Sequence, residues 1–171
     1  RMIHTTGDVE YRHIIDMSDD FVEVAKQALK EGVKIYTDTN MGYQGINKKA
    51  IAKSKCELMS FIADEDVAKE AKERGTTRSV VAIEKAVNEG AEVFVIGNAP
   101  TALFHLLDLY KEGKVNPKFV VAVPVGFVGA AESKEEIVKY DIPYIRTVGN
   151  KGGSNVAASV INALLYMVFP R

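Results

Sequence analysis

Short apolar segments alternate with amphipathic segments along this chain, and this alternation limits the possible folds more than any other feature. Five apolar segments, rich in β-branched and aromatic residues, are predicted strands: residues 33–38, 56–63, 91–98, 118–126 and 143–149. Seven segments with apolar residues at helical spacing are predicted helices: residues 19–32, 44–54, 64–75, 76–90, 100–113, 133–140 and 153–169. Strands that alternate with helices form βαβ units, which build a largely parallel sheet.

The fold class follows from these segments. The runs at 91–98 and 118–126 contain almost no polar residues, which is typical of strands covered on both faces. We therefore predict an α/β fold with a mostly parallel sheet of five to six strands and helices on both faces. The alternating segment 9–16 is predicted to be an edge strand or an extended arm. No repeat or linker divides the chain, so residues 1–171 are predicted to form a single domain.

Composition restricts the class of protein. The 171 residues carry a net charge of −1 at pH 7, which argues against a protein that mainly coats nucleic acid. No apolar run reaches the ~20 residues that a membrane helix needs, and the start lacks the layout of a signal peptide. Cys56 is the only cysteine, so an intrachain disulfide is impossible. We predict a cytoplasmic protein, without membrane or nucleic-acid partners, in which Cys56 fills the core.

The loops that follow the predicted strands are rich in Gly, Asn, Thr and Ser. They comprise residues 38–45, 97–102, 126–133 and 149–155. In open α/β sheets the ligand binds beyond the carboxyl ends of the strands, where loop amides and helix N-termini favour an anion. The chain contains neither a G-x-x-x-x-G-K-[ST] motif nor a G-x-G-x-x-G motif after a strand, so nucleotide binding is not favoured.

A few charged or titratable residues are candidates for chemistry. Arg78 lies in the first turn of a predicted helix, where a cation opposes the helix dipole, so it is a candidate contact for a ligand carboxylate. Lys151 precedes two glycines at a helix start and suits an anion, although a solvated loop lysine is the commoner case. His4 is either a tail residue or an acid/base near neutral pH. His13 and His105 are interpreted as structural residues.

The same residues resemble a known family. The resemblance rests on five motifs: RMIH at 1–4 with Gly7 and Asp8, TTRS at 76–79, GNAPTAL at 97–103, GFVGAAESKE at 126–135 and GNKGGSNVAA at 149–158. Together, from Arg1 to about Leu165, they are similar to the precorrin-8X methylmutases of cobalamin biosynthesis, which include the cobalt-precorrin-8 enzymes. Members carry a further segment ahead of RMIH, with a serine regarded as reaching the substrate, and we expect this chain to lack it.

The resemblance implies an isomerase. A methyl group moves from ring carbon 11 to ring carbon 12 of a contracted tetrapyrrole, which gives hydrogenobyrinate or its cobalt counterpart, cobyrinate. The family histidine in MIH, here His4, is regarded as the general acid/base, and the arginine after TT, here Arg78, as a substrate contact. A sigmatropic shift needs no metal or other cofactor, and members of the family are typically homodimers.

The expected substrate site combines donors for carboxylates with flat apolar walls. Its predicted members besides His4 and Arg78 are Arg1, Tyr43, Gly97, Asn98, Ala99, Pro100, Thr101, Phe127, Lys151, Gly152, Gly153, Ser154 and Asn155, with Met41 as a further possible wall. Two alternatives stay open at this point. One is a corrinoid-binding or carrier module without activity, and the other is an unrelated α/β enzyme for a phosphorylated metabolite.

Overall fold

One mixed sheet of six strands organises the computed structural model, which describes residues 1–170. The strands are β1 (Ile15–Met17), β2 (Lys34–Thr37), β3 (Glu57–Met59), β4 (Val93–Ile96), β5 (Phe119–Ala122) and β6 (Tyr144–Thr147). Their order across the sheet is β1-β6-β5-β4-β2-β3. All neighbouring pairs are parallel except β1 with β6, which is antiparallel. The predicted α/β fold with a mostly parallel sheet is confirmed.

Ten α-helices are found in the described part of the chain. They are α1 (Met2–Thr6), α2 (Tyr11–Ile14), α3 (Phe21–Glu31), α4 (Asn40–Gly45), α5 (Lys48–Ala52), α6 (Glu65–Arg74), α7 (Arg78–Asn88), α8 (Pro100–Lys111), α9 (Ala130–Glu136) and α10 (Ser154–Val168). A short 3-10 turn (Ile137–Lys139) follows α9. Helix ends agree with the sequence signals: Pro100 opens α8, and glycines with positive φ follow α3 and α6.

The core has two halves, one on each face of the sheet. Alternate residues of β4 point in opposite directions, so Val93 and Val95 belong to one half and Phe94 and Ile96 to the other. The first half contains residues of α3, α5 and α10, and the second contains residues of α6, α7 and α8. Because both faces are covered, the central strands are entirely buried, as their uninterrupted apolar runs predicted.

Several predicted boundaries were wrong. Residues 9–16 form a helical turn, α2, followed by the start of the edge strand β1, because the Asp8 side chain accepts the Glu10 amide (2.9 Å) and starts a turn. The predicted helix 44–54 is divided into α4 and α5, the second capped by Asn47. The strand predicted at 56–63 is only Glu57–Met59.

Cys56 packs against the first half of the core from its margin, so its predicted core position is confirmed only in part. Cys56 is half-buried and its thiol donates to the Leu29 carbonyl (3.6 Å). It lies beside β3, which is the last strand of the sheet and therefore has a neighbour on one side only. Within residues 1–170, no helix combines the length and the apolar character required to cross a membrane.

Candidate functional site

The strand order brings two of the polar loops together. β3, the strand that follows β2 in the chain, pairs with one side of β2. The next strand, β4, pairs with the other side of β2, and β5 and β6 extend the sheet in that second direction. This reversal creates a crevice beyond the carboxyl ends of β2 and β4, which is the usual ligand position in open α/β sheets. Residues 38–45 and 97–102 flank it, and the loops after β5 and β6 continue the same edge.

Asp38 organises the crevice from inside. Its carboxylate is 3% exposed, and its Oδ1 accepts the amide of Gly97 (2.9 Å) while its Oδ2 accepts the amides of Asn98 (2.9 Å) and Ala99 (2.8 Å). Burial raises the pKa of Asp38, and the three amides act in the opposite direction. The protein's own carboxylate thus fills the amide nest that was expected to be open to an anionic ligand, and this part of the expectation is wrong.

The side chains of that loop remain accessible although its amides are engaged. Asn98 and Thr101 are exposed at the start of α8, while Ala99 is buried and Pro100 is half-buried. Gly97 is buried because Ser154 packs on it: a Cβ at Gly97 would lie 2.7 Å from the Ser154 Cα. The contribution left to this loop is therefore a polar rim formed by the Asn98 and Thr101 side chains.

The N-terminus of α10 is fixed against the neighbouring loops. The Ser154 hydroxyl bonds with the Thr39 hydroxyl (2.7 Å), and the Gly153 amide donates to the Val123 carbonyl (2.9 Å). Gly152 has no room for a side chain, since a Cβ would overlap the Val123 carbonyl oxygen. Asn155 is exposed at the second helical position. This glycine pair therefore lets the chain cross the end of β5 in close contact.

Lys151 connects this loop to the N-terminal segment. Its ammonium bonds with the carboxylates of Asp8 (2.5 Å) and Glu10. These hydrogen bonds raise the pKa of Lys151, and the same contact lowers the pKa of Asp8. Two of the protein's own carboxylates thus already neutralise the cation that the sequence offered to a ligand, and Lys151 anchors the segment that follows α1.

His4 and Arg78 lie on opposite sides of the sheet. His4 is exposed on α1, which packs on α10, while Arg78 is exposed in the first turn of α7, in the other helical layer. Within residues 1–170 neither side chain has a hydrogen-bond or ion-pair partner. Arg1 is engaged, since its guanidinium lies 5.2 Å from the centre of the Tyr166 ring.

Large apolar side chains are exposed on the loops of the same edge. Phe127 is 92% exposed and Val128 88% exposed in the loop after β5, and Met41 is 68% exposed at the start of α4. Tyr43 is half-buried and its ring faces the Lys48 ammonium (4.5 Å). Phe127 and Val128 are neighbours in the chain, so the loop after β5 presents two adjacent apolar side chains to solvent, a feature that is common at ligand or partner surfaces.

The other two histidines have partners of their own. His105 Nε2 bonds with Glu84 (2.9 Å), which also accepts the Arg74 guanidinium. His13 Nε2 accepts the Arg12 Nε–H (2.8 Å). Neither contact involves the loops at the carboxyl edge, which agrees with the structural interpretation of both residues.

Comparison with known proteins gives the family. A sequence profile described as precorrin-8X methylmutase matches residues 1–167. The chain belongs to the precorrin-8X methylmutase family. It is 47% identical over 168 residues to the cobalt-precorrin-8 methylmutase of Salmonella typhimurium, covering 97% of this chain and 78% of that protein. It is 38% identical over 168 residues to the precorrin-8X methylmutase of a Sinorhizobium species, covering 96% and 79%.

The fold agrees with the same family. A solved structure of precorrin-8X methylmutase from Thermus thermophilus superposes with a TM-score of 0.89 at 30% identity, covering 98% of this chain and 82% of that one. A methylmutase moves a methyl group within one molecule and is therefore an isomerase. The exposed loops at the carboxyl edge of the sheet lie within the matched residues 1–167. Sequence reasoning missed Asp38 and Thr39, whose only signal was their position directly after a strand.

Proposed function

We propose that this chain catalyses the methylmutase reaction of corrin biosynthesis. In this reaction a methyl group moves from ring carbon 11 to ring carbon 12 of precorrin-8X or cobalt-precorrin-8, and hydrogenobyrinate or cobyrinate is formed. The supporting observation is the family match over residues 1–167, which includes every proposed site loop. Cobalt-precorrin-8 is the first substrate to assay, because the Salmonella relative at 47% identity carries that name.

The reaction is an isomerisation, so its atoms balance within the substrate. The bond from the methyl group to ring carbon 11 breaks as the bond to ring carbon 12 forms, and the conjugation of the ring is rearranged. A proton that an acid gives to the macrocycle during this shift must be matched by loss of another. The proposed catalyst needs no cofactor of its own; it needs a placed acid and a rigid pocket.

The accessible residues fit this need. His4 has a free imidazole on the surface of α1 and is proposed as the general acid/base. Arg78 has an unpaired, exposed guanidinium and is proposed to bind a substrate carboxylate. Asn98, Thr101 and Asn155 are proposed polar contacts at the crevice.

The exposed apolar residues suit a large flat ligand. Phe127, Met41 and Tyr43 would cover the face of the macrocycle. Its carboxylates would be held by Arg78 and by the side-chain amides of Asn98 and Asn155. Because His4 and Arg78 lie in different helical layers of one chain, we propose that the pocket is completed by a second copy in a homodimer. Sedimentation velocity at micromolar concentration should give the mass of two chains, and a monomer that turns over substrate would contradict this.

The decisive test compares two histidines of the same segment. His4→Ala should lower kcat by about 10²–10⁴-fold, the usual contribution of a positioned acid/base, while hydrogenobyrinate still binds. His13→Ala is the matched control and should behave as wild type. The reaction is followed by the absorbance of the rearranged chromophore.

Two results would reject parts of the proposal. Normal turnover by His4→Ala would remove His4 from the acid/base role. A wild-type spectrum that shifts on binding but does not progress with time would indicate a corrinoid-binding module. We also propose a cytoplasmic location for the protein, which fractionation of the producing cells would check.

A further inference from the structure

Lys134 is a buried cation without a carboxylate partner. It lies on α9, and its side chain is 0% exposed. Lysine is rarely fully buried unless it is paired with an acid. The other buried cation, Arg146, does have acids: its guanidinium bonds with Asp16 (2.7 Å) and Glu135 (2.9 Å). Within residues 1–170, by contrast, only neutral oxygens accept hydrogen bonds from the Lys134 ammonium.

Those oxygens belong to the last residue of β6 and to the loop between β6 and α10. The Lys134 Nζ donates to the Lys151 carbonyl (3.0 Å) and to the Thr147 Oγ1 (3.2 Å). The Thr147 hydroxyl donates to the same Lys151 carbonyl (2.6 Å). One carbonyl oxygen of the loop is therefore held from inside by two donors, and its direction is fixed.

The direction of this carbonyl determines that of the next amide. Residues 1–170 contain no cis peptide bond, and in a trans peptide the N–H points opposite to the C=O. Since the Lys151 carbonyl points towards Lys134, the Gly152 amide points away from the core. No acceptor in the described residues receives this amide, whereas the next one, of Gly153, bonds with Val123 (2.9 Å).

Burial of the Lys134 ammonium lowers the stability of the folded state, a cost that an apolar side chain at this position would avoid. Burial, together with the nearby Arg146, lowers the pKa of Lys134 to about 8. A methionine of similar length would fill the same space without this penalty. The observation to explain is therefore why a cation occupies this position.

We propose that Lys134 is a positioning residue for substrate binding: it orients the Lys151–Gly152 peptide so that the Gly152 amide donates to a substrate carboxylate. This inference rests on the proposed function, which supplies a ligand with carboxylates. Lys134 itself does not touch the substrate. Its charge also gives the buried side of the loop a positive potential that favours an anion on the other side.

The test is Lys134→Met with Lys139→Met as its control, since Lys139 is an exposed lysine in the 3-10 turn that follows α9. Loss of one hydrogen bond to a charged ligand group should raise KM by about 10- to 100-fold. Because the carboxylate is remote from the migrating methyl group, kcat should change by less than about threefold. Lys139→Met should leave both constants unchanged.

Nuclear magnetic resonance distinguishes the loss of an oriented Gly152 amide from a general destabilisation of the fold. In wild-type protein labelled with ¹⁵N, hydrogenobyrinate should shift the amide resonance of Gly152, and in Lys134→Met this shift should be lost while the rest of the spectrum stays dispersed. Thr147→Val removes the second donor to the same carbonyl and should raise KM by a smaller factor, about 3- to 10-fold. This variant carries the test if Lys134→Met does not fold.

The failures are distinguishable. If wild type turns over its substrate but neither variant changes KM, or if the Gly152 resonance does not respond to hydrogenobyrinate, the positioning role is wrong and the proposed function stands. If wild type neither binds hydrogenobyrinate nor converts its substrate, the proposed function fails, and this inference fails with it.

Discussion

Asp38→Asn tests whether the buried carboxylate holds the crevice together. The wild-type carboxylate accepts three amides, those of Gly97, Asn98 and Ala99, at 2.8–2.9 Å. Asparagine has the same shape but only one acceptor oxygen. Turned to its best orientation, this oxygen keeps the two amides of Asn98 and Ala99, and the NH₂ group then faces the amide of Gly97, which loses its acceptor.

The expected loss can be worked from these contacts. An unsatisfied buried amide destabilises by about 1–3 kcal/mol, and each of the two remaining bonds weakens by about 1 kcal/mol when its acceptor is no longer charged. Removal of a buried charge offsets part of this, about 1–2 kcal/mol. We expect the free energy of unfolding to fall by about 1–4 kcal/mol, which corresponds to a Tm lower by roughly 2–16 °C for a chain of this length.

Urea unfolding followed by circular dichroism measures this change. The slope with denaturant should stay the same, because the surface exposed on unfolding does not change. Asp141→Asn, which removes an exposed carboxylate near β6, is the control and should change stability by less than about 0.5 kcal/mol. An Asp38→Asn protein as stable as the control would show that the amide nest does not depend on the charge.

Two further predictions concern the loop before α10 and the Lys134 side chain that contacts it. Gly152→Ala should lower the free energy of unfolding by about 1–3 kcal/mol and abolish hydrogenobyrinate binding, because the new Cβ overlaps the Val123 carbonyl. Gly113→Ala is the control: Gly113 has a positive φ but open space around it, so this variant should lose only about 1 kcal/mol and still bind hydrogenobyrinate. Between pH 8 and 10.5 the unfolded chain binds a proton at Lys134 that the folded chain lacks, so this group alone should add about 3 kcal/mol of stability as pH rises through that range. Urea titrations at several pH values should show this gain as a difference between wild type and Lys134→Met, and parallel curves would contradict the lowered pKa.

Most of the fold could be predicted because its signals are local. The strands β4 and β5 are uninterrupted apolar runs, β2 and β6 are short segments rich in β-branched and aromatic residues, and Gly32, Gly75 and Pro100 mark helix ends between the strands. The elements that were missed, α1 and α2, have only five and four residues, which is too short for a periodic pattern. Their positions depend on contacts with α10 and on the ion pairs of Lys151.

The candidate site was predictable as a place but not as a set of interactions. Loops after parallel strands always meet at one edge, so residues 97–102 and 149–155 could be assigned to it from the order of elements alone. The sequence did not reveal that Asp38 occupies the amides of the first loop, a contact between residues 59–61 positions apart. Nor did it indicate that Lys151 is already paired with Asp8 and Glu10.

Lys134 shows most clearly where sequence reasoning ends. It lies in the charged run SKEE, which is typical of a solvated helix face, yet only the tertiary structure turns this one side chain inward. Sequence by itself determined the family motifs, the fold class and the edge at which the loops meet, because hydrophobic periodicity and chain order are properties of neighbouring residues. Which charges are buried, which amides are already bonded and which side chains stay free depended on segments distant in sequence, since burial and pairing arise only when those segments pack together.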